Sequence, residues 1–129
     1  MIVVDSSVWI AQLQGRTSRA VTRLTAIKRP TTILIGDLVL MEVLQGVRDS
    51  AHASRLERSL RRFPVARMVD DRLAAIAATN SRFLRGKGVT IRKTIDLLIA
   101  TFCIEHGHAL LHQHRDFDQI AKHLPMTVI

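Results

Sequence analysis

The sequence predicts an α/β protein, a sandwich with helices on both sides of a mainly parallel central sheet. Short apolar segments such as "IVV" and "TTILI" are typical of buried strands, and the segments between them have helical periodicity. Strands that alternate with helices pair in parallel, because each helix returns the chain to the start of the next strand. The chain has 129 residues without a linker, repeat or low-complexity tract, so residues 1–129 are predicted to form a single domain.

The predicted elements alternate from one end of the chain to the other. Strands are expected where apolar and β-branched residues follow one another, at 2–5, 31–35, 64–66, 109–112 and 127–129. Helices are expected where apolar residues recur every three or four positions, at 6–14, 18–28, 38–47, 50–62, 71–85, 95–107 and 116–124.

Capping residues support several of these boundaries. The first helix is expected to be capped by Ser6 or Ser7, the third by Asp37 and the fifth by Asp70, because short oxygen-bearing side chains accept hydrogen bonds from free N–H groups. Gly107 is expected to end the helix that contains "IDLLIATFCIEHG".

The charge and composition favour a protein that binds polyanions and exclude disulfide-rich and membrane-spanning proteins. Nineteen Lys and Arg residues against eleven Asp and Glu residues give a formal net charge of +8, which favours polyanionic partners such as nucleic acid. The single cysteine, Cys103, rules out an internal disulfide framework or a cysteine-rich zinc site. No apolar run approaches the roughly 18 residues needed to cross a bilayer, and Asp5 interrupts any signal-peptide pattern. We therefore expect a cytoplasmic protein with no membrane association.

Four acidic residues have unusually apolar surroundings. Asp5 and Asp116 follow predicted strands, whereas Glu42 and Asp96 lie in the apolar helical segments "LVLMEVL" and "TIDLLIA". Three of them have a purely structural alternative: Asp5 or Asp96 could cap a helix, and Glu42 could form a buried salt bridge with an arginine.

The predicted topology brings these acids together. Parallel strands end at one edge of the sheet, so Asp5 and Asp116 should lie there, with the helices that carry Glu42 and Asp96 leaning toward them. Converging carboxylates repel one another unless a cation joins them, and oxygen ligands favour Mg²⁺ or Mn²⁺ over zinc. Such an ion activates water for attack on a phosphodiester, while the surrounding Lys and Arg hold the polyanion. The sequence therefore predicts a metal-dependent nuclease.

Four segments, "MIVVDSSVWI", "LVLMEVLQG", "TIDLLIA" and "LLHQHRDFDQIA", resemble in order and spacing the motifs of PIN-domain ribonucleases, and most closely the VapC toxins of toxin–antitoxin pairs. The resemblance covers essentially the whole chain. It implies a PIN-like fold and a Mg²⁺- or Mn²⁺-dependent endoribonuclease that acts on structured RNA such as tRNA. It also implies a homodimer and a cognate VapB-type antitoxin that covers the site.

Carried over by motif, the catalytic acids are Asp5, Glu42, Asp96 and Asp116, of which Asp5, Asp96 and Asp116 would hold the metal. Ser7 matches the hydroxyl beside the first Asp of the family, where it would touch phosphate or a metal-bound water. His114 departs from the family pattern, because many relatives carry an acid at that position. We expect His114 at the rim of the site; the alternative is a direct ligand that shifts preference toward Mn²⁺.

Three other classes of protein fit the sequence less well. A two-component receiver domain needs an acidic pair after the first strand, and a haloacid dehalogenase phosphatase needs an Asp where Ser7 stands. A non-catalytic module that binds RNA or an antitoxin would retain the basic surface, but it has no need for four acids in apolar surroundings.

Overall fold

The computed structural model describes all 129 residues and contains five strands and seven α-helices. The strands are β1 Ile2–Val4, β2 Ile33–Gly36, β3 Val65–Ala66, β4 Ala109–Leu111 and β5 Thr127–Val128. The helices are α1 Ser6–Leu13, α2 Arg19–Thr25, α3 Asp37–Gln45, α4 Ser50–Leu60, α5 Asp71–Gly86, α6 Thr94–His106 and α7 Arg115–His123. A single 3₁₀ turn, Pro30–Thr32, precedes β2.

All five strands are parallel, in the order β3-β2-β1-β4-β5. The chain builds the sheet outward from β1 to β3, then crosses back to the other side of β1 for β4 and β5. Because such crossovers are right-handed, the reversal places the later helices on the opposite face. The packing agrees: α1 packs against α2 and α3, and α3 against α4, whereas α6 packs against α5 and α7. The predicted α/β/α sandwich is confirmed.

The change of direction between β1 and β4 fixes where a ligand can bind. In open parallel sheets, the crevice for ligands lies beyond the carboxyl ends of the strands where the order reverses. The centre of the sheet is fully buried, with Val3, Val4, Leu110 and Leu111 at 0% exposure. The polar residues that follow these strands are therefore fixed on a rigid support at the edge of the crevice.

Two predicted helix caps were wrong. The cap of α1 is Asp5, whose carboxylate accepts from Ser7 N, so Ser6 and Ser7 are the first helical residues and their hydroxyls are free for other partners. The cap of α3 is Gly36, because the Asp37 carboxylate instead accepts from Leu38 N at 2.8 Å and from Met68 N at 3.1 Å. Asp37 thus ties the start of α3 to the segment after β3.

Two other predicted helix boundaries are confirmed. Asp70 caps α5 by accepting from Leu73 N at 2.8 Å, and Gly107 ends α6 with a left-handed φ of 67°, a conformation that favours glycine. None of the helices is both long and apolar enough to span a membrane.

Candidate active site

Asp5 stands where β1 passes into α1. Its backbone N–H donates to Leu111 O at 2.9 Å, which extends the β1–β4 pairing by one residue and fixes the start of the side chain. One carboxylate oxygen, Oδ2, accepts from Ser7 N at 3.0 Å and from the Ser7 hydroxyl. The other, Oδ1, is buried and has no hydrogen-bond partner. Asp5 is therefore a helix cap with one carboxylate oxygen left for a ligand.

Glu42 reaches the same region from the side of α3. Its Oε1 accepts from the Ser6 hydroxyl at 3.2 Å, and it forms no ion pair, so the predicted alternative of a salt bridge to an arginine is wrong. Burial raises the pKa of the Glu42 carboxyl, and the charges of Asp5 and Asp96 raise it further. The hydrogen bond from Ser6, which directly follows Asp5, places Glu42 next to the start of α1.

Asp96, His114 and Asp116 form the tightest cluster of the site. One potential ligand atom from each of the three lies within 4.8 Å of the other two. His114 Nδ1 is 3.2 Å from Asp96 Oδ2, although neither atom has a hydrogen-bond partner, so this is a charge contact without hydrogen-bond alignment. Asp96 is only 4% exposed. The structural alternative for Asp96, a helix cap, is wrong, since the cap position of α6 is Lys93.

The raised pKa of Asp96 shows that the site disfavours a negatively charged carboxylate. Burial raises this pKa and the nearby charge of Asp5 raises it further, whereas His114 and Lys93 lower it and Asp116 adds a smaller rise. The carboxylates are partly stabilised by the helices, because Asp5 caps α1 and Asp96 and Asp116 lie in the first turns of α6 and α7. The positive ends of three helix dipoles therefore face the cluster.

The donor set fits a divalent metal ion. Asp5 Oδ1, Asp96 Oδ2 and Asp116 Oδ2 are all buried without a hydrogen-bond partner, a costly state for carboxylate oxygens unless a cation satisfies them. Carboxylate oxygens are ligands for hard cations, and the imidazole of His114 is compatible with several transition metals. The structure thus joins Asp96, His114 and Asp116 in one cluster, and Asp5 lies near enough to raise the pKa of both Glu42 and Asp96.

Three neighbouring residues were not assigned to the site from the sequence. Ser6 positions Glu42, and the exposed Lys93 lowers the pKa of both Glu42 and Asp96. His112 is 9% exposed and its Nδ1 accepts from His114 N at 3.1 Å, which braces the loop that leads to Asp116. Burial lowers the pKa of His112. The first serine of "DSS" and the "HQH" spacing were the signals in the sequence that could have revealed two of these roles.

An acidic cluster at the switch point of a parallel α/β/α sheet defines a class of metal-binding proteins, and comparison with known proteins gives the family. The PIN domain family model matches residues 2–123. Ribonuclease VapC11 of Mycobacterium tuberculosis is 32% identical over 125 residues, which cover 95% of this chain and 92% of the relative. The chain therefore belongs to the PIN-domain family, and the VapC ribonucleases are among its relatives, as predicted.

Solved structures share the fold at lower identity. The VapBC2 structure from Rickettsia felis, bound to a DNA fragment from its promoter, matches with a TM-score of 0.78 and 19% identity, covering 100% of this chain and 98% of that one. VapC20 of Mycobacterium tuberculosis, described as a toxin that cleaves the sarcin–ricin loop, matches with a TM-score of 0.68 and 21% identity, covering 92% of this chain and 93% of that one. The PIN-like fold is confirmed by both.

Proposed function

We propose that this protein is a metal-dependent endoribonuclease toxin of the VapC kind, which cleaves phosphodiester bonds in structured RNA such as tRNA. The observation that supports this proposal most directly is that Asp5, Asp96 and Asp116 each have a buried carboxylate oxygen without a hydrogen-bond partner. The 32% identity to VapC11, which is named a ribonuclease, supports RNA as the substrate.

Asp5, Asp96 and Asp116 would hold the ion, and Mg²⁺ or Mn²⁺ is proposed because the three offer hard oxygen donors. When bound, such an ion neutralises phosphate charge and lowers the pKa of water for in-line attack. The residues of the chain then do the positioning. Ser7 holds Asp5 Oδ2 so that Oδ1 points away from the bond, and Ser6 does the same for Glu42.

Glu42 is suited to accept a proton within this site. Its pKa is raised by burial and by Asp5, and a general base is most effective when its pKa approaches the working pH. Its single hydrogen bond, from Ser6 to Oε1, leaves Oε2 free of any such contact. We assign Glu42 to proton transfer and the three aspartates to metal binding.

The same geometry suggests how an antitoxin would silence the protein. VapB-type antitoxins are the proposed partners, since several solved structures of this fold are VapBC complexes. A guanidinium inserted among Asp5, Glu42 and Asp96 would form charge-assisted hydrogen bonds with carboxylates that otherwise repel one another. A complex whose antitoxin leaves this cleft open to solvent would contradict the proposed inhibition. The homodimer implied by the resemblance is retained as a proposal.

The test is to incubate the purified protein with total RNA and to sequence the fragments. Cleavage at defined positions is expected with Mg²⁺ or Mn²⁺, and none is expected with EDTA. An Asp5→Asn variant, which keeps the size of the side chain and its capping oxygen, is the matched control. A non-catalytic module that binds RNA would leave the RNA uncleaved in every condition, and that result would overturn the proposal.

A further inference from the structure

A second polar cavity, which we call the arginine pocket, adjoins the acidic cluster. It has a volume of about 430 Å³ and lies between the start of α2, the loop after β4 and the end of β5. Arg19, Arg23 and Arg115 line it. All three are exposed, and none of them is in an ion pair. The acid in its lining is Asp118, which lies 3.5 Å from His112 Nε2.

The arginine pocket and the acidic cluster share a wall. Ser18, the cap of α2, donates through its hydroxyl to Gln113 Oε1 at 2.8 Å. Gln113 in turn donates through its backbone N–H to Ser7 Oγ at 3.4 Å, and Ser7 donates to Asp5. Arg115 directly precedes Asp116 in α7. Both features therefore lie at the carboxyl edge of the sheet and are joined by a continuous chain of hydrogen bonds.

We propose that the arginine pocket binds a phosphate group of the RNA strand, next to the phosphate that is cleaved. Guanidinium groups bind phosphate with two parallel hydrogen bonds, and Arg19 and Arg23 stand one turn apart on α2, where they can share one anion. RNA that is cleaved at the acidic cluster must approach it, and a strand that does so passes within reach of these arginines. A cation at the cluster would offset the repulsion between the carboxylates and the cleaved phosphate, whereas the arginines bind the neighbouring phosphate without a cation.

The lining also indicates which part of the RNA is contacted. The pocket contains no Phe, Trp or Tyr, and its one histidine, His112, is only 9% exposed, so it has no exposed aromatic ring on which a base would stack. Recognition is of the backbone and is independent of the base. This site rests on the proposed function, because it orients a strand for cleavage at the acidic cluster.

The experiment measures binding of fluorescein-labelled bulk tRNA in EDTA, where the RNA stays intact, over a range of salt concentrations. Arg19→Gln/Arg23→Gln is compared with the matched control Arg58→Gln/Arg62→Gln. The control removes the same charge from exposed residues near the C-terminal end of α4, just before β3, and hence at the opposite edge of the sheet.

The pocket variant should bind tRNA about 5- to 30-fold more weakly at moderate salt, as expected for the loss of two solvent-exposed charge pairs with phosphate. The slope of log K against log salt should fall by about 0.7 to 0.9, which is the contribution of one phosphate contact. Arg19→Lys/Arg23→Lys should retain most of the slope, which separates lost charge from lost folding.

A pocket variant that matches the control in affinity and slope would overturn the proposal. So would a larger loss of binding to a poly-glutamate peptide than to tRNA, which would identify the pocket as a site for an acidic protein segment. Cleavage of total RNA by the unaltered chain is measured separately with Mg²⁺ or Mn²⁺. If the salt slope changes in the pocket variant but the unaltered chain cleaves no RNA, the phosphate site is supported and the proposed function is refuted. If the unaltered chain cleaves RNA but the slope does not change in the pocket variant, the proposed function is supported and the phosphate site is refuted.

Discussion

Replacing Asp96 with asparagine separates the stability of the site from its activity. Asp96 is buried, its pKa is raised, and the metal-free protein gains nothing from its charge. Asparagine has the same shape without the charge. The Asp96→Asn variant should therefore lose RNA cleavage and become more stable than the unaltered protein when no divalent cation is present.

The gain comes first from the burial of the charge and from its repulsion by Asp5, and Asp116 adds a smaller repulsion whose size follows from the distance. At a separation of 4.8 Å, the limit for the Asp96 and Asp116 ligand atoms, two unit charges repel by about 3.5 kcal/mol at an effective dielectric constant of about 20 and by about 0.9 kcal/mol in water. The attraction of Asp96 to His114 and Lys93 is lost in the variant and offsets part of this. We expect a net gain of about 1–2 kcal/mol, or a rise in Tm of about 4–8 °C for a domain of this size.

The dependence on pH tests the assigned cause. Between the ordinary pKa of 3.8 and the raised value, the folded protein holds a proton that the unfolded chain has released. The stability of the unaltered protein therefore falls as the pH rises through this window. Below the window Asp96 is neutral and resembles asparagine, so the difference between the two proteins should vanish at low pH and be complete at neutral pH.

Thermal unfolding in EDTA and in Mg²⁺, across this pH range, provides the measurement. Mg²⁺ at 100 times its Kd should stabilise the unaltered protein by about 2.7 kcal/mol and the variant by far less. Asp71→Asn is the control, because Asp71 is exposed in the first turn of α5 and has no hydrogen-bonding or ionic partner. If Asp96→Asn were less stable than the unaltered protein in EDTA at neutral pH, the charge of Asp96 would not destabilise the metal-free protein.

Three further substitutions test the individual roles. Asp5→Asn should lower RNA cleavage by more than about 100-fold, beyond the loss that outer-shell changes typically cause; fragment sequencing measures it, and near-normal cleavage would place the chemistry elsewhere. Ser7→Ala frees Asp5 Oδ2 and should lower activity by about 10- to 100-fold while Tm changes little, so a fully active variant would show that Asp5 needs no such support. His114→Asp adds an oxygen donor beside Asp96 and should tighten Mg²⁺ binding in calorimetry; unchanged or weaker binding would put His114 outside the reach of the metal.

The order and type of the elements could be predicted because local patterns determine them. The strand cores and the helix boundaries at Asp70 and Gly107 depend on β-branched runs, caps and glycines that the sequence displays directly. The start of α3 could not be read in this way, since Asp37 bonds to Met68, a residue 31 positions away.

The acidic residues of the candidate site could be picked out from the sequence, but the residues that hold them in place could not. A carboxylate in an apolar segment conflicts with burial, so the sequence itself marks Asp5, Glu42 and Asp96 as exceptions. Serine and histidine create no such conflict, because both are common at helix starts and in loops. The roles of Ser6 and His112 depend on contacts between β1, α3 and the loop after β4, which only the assembled sheet provides.

The segment "DSS" illustrates how one turn of chain serves both the fold and the site. Asp5 caps α1 with Oδ2 and thereby makes Ser6 and Ser7 the first residues of the helix. Their hydroxyls then face two different acids, Glu42 and Asp5, and each acid has only one of its oxygens engaged in this way. A cap supplied by a serine would have left Asp5 unsupported. The carboxylate at the end of β1 is thus tolerated without a metal because it satisfies the helix, and it retains the free oxygen that the proposed chemistry requires.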